Sequence, residues 1–61
     1  MDIKTTAGIV RIQKTTFKDK DYFEIRKYYL DEKTQEYKPT RKGITLSIEL
    51  LDDIKKAINS I

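Results

Sequence analysis

The sequence predicts an α+β fold: four strands in a meander, then one C-terminal α-helix closing a face of the sheet. Two observations carry this. Residues 8–46 are filled with branched and aromatic side chains in period-two alternation, interrupted by charged or polar turns. From residue 50 onward the apolar spacing becomes helical.

The elements follow in order. Residues 1–6 have no periodicity and read as a flexible N-terminal arm, frayed or extended, which leaves 7–61 as a single domain. GIVRIQK (8–14) is rich in β-branched residues, and Val10 and Ile12 share a face, so it reads as the first strand. FKDKD (17–21) is a charged turn. YFEIRKYYL (22–30) is the strongest strand, with Phe23, Ile25 and Tyr29 on one side and Glu24 and Arg26 on the other. DEKTQ (31–35) is a polar turn, and EYK (36–38) is a short third strand ended by Pro39, which has no N–H to give a ladder. GITL (43–46) is the fourth. Ser47 is a suitable N-cap, and Leu50, Leu51, Ile54, Ala57, Ile58 and Ile61 form one apolar stripe beyond it. Acidic Glu49, Asp52 and Asp53 precede basic Lys55 and Lys56, which matches the helix dipole.

A chain of 61 residues is one small domain, burying only about 60% of its unfolded surface. It has no cysteine or histidine, so neither a disulfide nor a zinc site can staple it. Self-association is the remaining remedy. The stripe through Leu50, Leu51, Ile54, Ile58 and Ile61 exceeds what one small sheet can cover, so those residues are assigned to a homodimer interface. The opening MDIKTTAGIV lacks a cationic segment before an apolar run, so no secretory leader is expected. No stretch approaches the roughly 20 apolar residues of a membrane span. With cysteine absent, the expectation is an intracellular protein: cytoplasm or nucleoid in a bacterium or phage, nucleus in a eukaryote.

Catalysis is poorly supplied. The usual general base, thiolate nucleophile and soft metal ligands are missing, and Asp52 and Asp53, as neighbours on a helix, point apart. The expectation is a protein that is not an enzyme and needs no cofactor or metal. Binding is better supplied. Residues 1–46 hold 11 cations and 7 acids, whereas 47–61 hold 2 and 3, so the positive excess lies in the strand region. All six aromatics (Phe17, Tyr22, Phe23, Tyr28, Tyr29, Tyr37) lie there too, interleaved with cations. Cations track phosphates and open rings stack on unpaired bases, so the mixture suits a single nucleic-acid strand. Phe23 also fits a core position, Tyr29 fits either role, and Phe17 borders a turn where burial is harder.

The run FKDKDYFEIRKYYLDEKTQEYKPTRKGITLS resembles the DNA-binding domain of the transcriptional coactivator positive cofactor 4 and its short bacterial and viral relatives. The matching pieces are Phe17-Lys18-Asp19-Lys20, Glu24-Ile25-Arg26, Tyr28-Tyr29 and the run from Lys38 to Leu46, followed by the helix. The resemblance spans about residues 9–58. It implies a four-stranded curved antiparallel sheet with a C-terminal helix, paired as a symmetric homodimer. It also implies binding of single-stranded DNA or melted duplex without strong sequence preference, in service of transcription, replication or repair and their machinery. By this resemblance, stacking falls to Phe17 and Tyr29, and phosphate contact to Lys18, Lys20, Arg26, Lys38, Arg41 and Lys42. Arg11 joins them on its charge and strand position alone. An RNA strand in the same channel, or docking on a polymerase, are the rival readings. Departures from the family pattern are Asp19 and Thr40 in place of glycines and Tyr29 in place of tryptophan.

Overall fold

The computed structural model describes all 61 residues. Four antiparallel strands, β1 (Asp2–Thr5), β2 (Gly8–Phe17), β3 (Lys20–Asp31) and β4 (Glu36–Ser47), form one sheet in sequence order. A 3-10 turn (Ile48–Leu50) leads into α1 (Leu51–Asn59). The Ser47 hydroxyl caps that turn, accepting from the Glu49 N–H at 3.4 Å.

The strands differ from the sequence expectation in two places, and the expected turn at 17–21 shortens to Lys18 and Asp19. Residues 2–5, expected as an arm, are strand β1. Ile3 pairs with Val10 in the ladder, and Arg11 Nε and Nη2 donate to the Asp2 carboxylate at 2.8 and 3.1 Å. One apolar residue in DIKT gives no legible period, and its partners lie on β2, so the pairing is invisible locally. The expected third and fourth strands are one strand, β4. Pro39 does not end it because β4 is an edge strand, where a missing donor is tolerated. Between the Arg26–Gly43 and Tyr28–Pro39 pairs the register slips, so Thr40, Arg41 and Lys42 together oppose Lys27 alone. KPTRK is therefore a bulge inside a strand.

Register divides the side chains between two faces. Val10, Ile12, Phe23, Ile25, Ile44 and Leu46 share the apolar face; Arg11, Gln13, Glu24, Arg26 and Thr45 share the polar one. Gly8 holds the start of β2 against β3 at φ +155°, where an added Cβ would lie 2.1 Å from the Tyr28 carbonyl oxygen. Only glycine fits there.

The helix does not close the apolar face. It meets the sheet chiefly through the 3-10 turn against β3, and none of its residues is buried. Only Ile9 and Phe23 are buried, each 3% exposed, and they sit on opposite faces. The radius of gyration is 13.3 Å, against about 10.5 Å for a compact chain of this length. The accessible surface is 5358 Å², against about 4,100 Å² for a folded monomer of this mass. One chain alone leaves its core unfinished.

Candidate nucleic-acid interface

The β2–β3 hairpin positions the first aromatic. Phe17 and Lys20 form its last rung, and Lys18 and Asp19 make the two-residue turn with φ of 52° and 64°. Positive φ at both central residues is the hairpin geometry that matches strand twist, at a cost for side chains other than glycine. The turn pushes Phe17 outward, 63% exposed, with Lys18 Nζ 5.4 Å from its ring centroid. Lys18 and Lys20 have no carboxylate partner. Asp19 between them lowers the local positive charge. Asp19→Gly is expected to stabilise the fold by roughly 0.5–1 kcal/mol in urea melts, by relieving the left-handed backbone.

Tyr29 sits elsewhere. It lies nine residues from Lys20 along β3, about 30 Å in an extended strand, and on the apolar face, whereas Phe17 lies on the polar one. The two expected stacking rings are therefore separate stations, and one base cannot touch both. Tyr29 pairs with Gly8 and Lys38, is 46% exposed, and borders a hollow of about 210 Å³. Lys27, Thr40 and Lys42 also line this hollow. Lys27 and Lys42 have no acidic partner, and exposed Arg41 has none either. Lys27 is one of the cations interleaved with the aromatics but was not among the expected contacts, although its place two residues before Tyr29 on a strand puts it on the same face.

The other three cations expected at the site, Arg11, Lys38 and Arg26, are engaged by carboxylates. Arg11 is held by Asp2, and its guanidinium lies 4.5 Å from the Tyr28 ring centroid. That hydrogen bond lowers the Asp2 pKa and raises that of Arg11. Lys38 Nζ lies 2.7 Å from Asp31 Oδ2 and, with the Lys33 N–H, holds the Asp31 carboxyl below its ordinary range. Arg26 Nε faces Glu24 at 3.3 Å. Exposed ion pairs of this kind contribute only about 0–1 kcal/mol, so a phosphate can displace the carboxylate from Arg11 or Lys38. The unpartnered Lys18, Lys20, Lys27, Arg41 and Lys42 are open without that exchange. The five residues expected at a dimer interface form one open ridge: Leu50 and Ile58 are 42% and 57% exposed, Ile61 is exposed, and Leu51 and Ile54 are half-buried.

The sequence model of the family described as transcriptional coactivator p15 (PC4) matches residues 6–57. The chain belongs to that family. Among curated PC4-type relatives, it is 41% identical over 46 residues to the RNA polymerase II transcriptional coactivator SUB1 of Saccharomyces cerevisiae, covering 75% of this chain and 16% of that protein. It is 44% identical over 45 residues to a putative RNA polymerase II transcriptional coactivator of Caenorhabditis elegans, covering 74% and 36%. The chain thus corresponds to a minor part of either relative. Among solved structures, a PC4 homolog from Burkholderia pseudomallei superposes with a TM-score of 0.85 at 24% identity, over 95% of this chain and 78% of the other. The bacteriophage T5 homolog of the eukaryotic coactivator PC4, implicated in recombination-dependent DNA replication, gives 0.66 at 22% identity, over 97% and 69%. These likenesses establish the PC4 fold of four antiparallel strands and a C-terminal helix.

Proposed function

We propose that this chain binds single-stranded DNA as a homodimer without strong sequence preference, and serves transcription, replication or repair by holding an unpaired strand while breaking no bond. The observation that carries the reading is the Tyr29 station: an open ring beside a hollow lined by Lys27 and Lys42, neither neutralised by the protein. A base stacks on the ring while its flanking phosphates meet the two ammonium groups. Phe17 with Lys18 and Lys20 repeats the combination at the far end of the hairpin, so a strand is gripped at two points. Ring stacking and phosphate contact are both indifferent to base identity, so sequence matters little. The names of the relatives support a role beside the transcription or replication machinery.

Surface area supports the homodimer. The chain exposes roughly 1,200 Å² more than a folded monomer of its mass, a per-partner area in the range of obligate homodimers. The excess is apolar where the helix ridge and Ile44 stand open, with Ile44 52% exposed.

Arg41→Ala and Lys42→Ala test the phosphate assignment. Each is expected to weaken binding to all single strands alike and to flatten the slope of log affinity against log salt by roughly 0.7. Unchanged slopes in both variants would remove the bulge from the interface.

A further inference from the structure

The bulge that presents Arg41 and Lys42 is gripped through one residue. The Thr40 hydroxyl donates to the Lys27 carbonyl at 2.8 Å and accepts from the Lys42 N–H at 3.1 Å. It thereby ties the three-residue side of the bulge to the single residue opposite. The Thr40 carbonyl accepts from Arg26 Nη1 at 2.9 Å, in a partly buried bond. The Arg26 stem lies flat over Gly43, where an added Cβ would come within 2.8 Å of Arg26 Cβ, Cγ and Cζ. Glu24 holds the other side of the guanidinium at 3.3 Å. Three residues opposite one leave backbone groups without ladder partners, and these bonds supply the partners.

We propose that Thr40, locked by Arg26, is a positioning residue that fixes the bulge so that Arg41 and Lys42 are pre-set for phosphate. Arg26 acts here through its bond to the Thr40 carbonyl. The proposal rests on the single-strand-binding reading above. Its physical basis is the ordering cost of binding: a lysine on a pinned backbone loses less freedom when it meets its ligand than one on a loose loop. A glycine at position 40 would have no hydroxyl to bridge Lys27 and Lys42, so the device belongs to the threonine in this chain.

The test is anisotropy of a labelled oligothymidine over a salt series, with melting curves, for the parent, Thr40→Val, Thr40→Ser and Arg26→Lys. Thr40→Val keeps shape and charge but removes the hydroxyl. It is expected to lose roughly three- to tenfold in affinity and to flatten the salt slope by up to roughly 0.7, although no cation is deleted. Thr40→Ser restores both. Arg26→Lys keeps the charge, loses the bond to the Thr40 carbonyl, and weakens binding comparably. Folded Thr40→Val with parental affinity and slope overturns the proposal. If that variant does not fold, parental affinity in Arg26→Lys overturns it instead. A parent that fails to bind single strands overturns the reading on which the clamp rests. The clamp is then decided by amide exchange of the Lys42 N–H, which is faster in Thr40→Val if the clamp exists and unchanged if it does not.

Discussion

Phe17→Ala is expected to weaken single-strand binding by roughly 1–3 kcal/mol, the contribution of one stacked base, while leaving the salt slope near that of the parent. The ring is 63% exposed on the last rung of the hairpin, so truncation opens no cavity and the melting temperature should move little. A stacked ring displaces no counterion, which is why affinity and slope part company here and move together in Arg41→Ala. Tyr29→Ala should behave the same way, with a modest loss of stability because that side chain is partly covered, at 46% exposed. Since the two rings lie on different faces at different ends, the losses should be close to additive. Phe17→Ala that stays folded and binds like the parent would reduce that station to a plain cationic surface.

Ile58→Lys is expected to split the proposed dimer. In one chain Ile58 is 57% exposed, so a lysine there should cost almost nothing if the protein is a monomer. Across a two-fold interface the change acts twice, removing roughly 3 kcal/mol of apolar burial, on the order of a hundredfold in dimer dissociation. Sedimentation at micromolar concentration should give the parent twice the chain mass and shift the variant toward the monomer, with a lower melting temperature. A folded monomeric parent would contradict the assignment, and the open ridge from Leu50 to Ile61 would then need another cover.

What the sequence disclosed, and what it hid, follows the range of the forces involved. The strand around Phe23 and Ile25 and the stripe from Leu50 to Ile61 were legible because their periods are local. β1 was hidden because Asp2 and Ile3 find their partners, Arg11 and Val10, on another strand. The bulge was hidden because Pro39 and three cations look like a loop, whereas edge position and the Thr40 hydroxyl let the strand continue. The cations were named by type, but their availability depends on contacts no spacing rule supplies. Asp2, Glu24 and Asp31 occupy Arg11, Arg26 and Lys38, while Lys27 stands open. The separation of Phe17 from Tyr29 followed from parity along β2 and β3 once the turn was known to hold two residues.

The central claim is that exposed rings and unpartnered cations together hold an unpaired strand. A salt titration of the parent with a single strand and with a matched duplex of equal length tests it most directly. The single strand should bind more tightly at every salt concentration, with affinity falling linearly in log salt at roughly 0.7 per phosphate contact, and mixed-sequence strands should differ little from one another. Equal affinity for strand and duplex would contradict the account, because stacking on Phe17 and Tyr29 requires base faces that a duplex keeps closed.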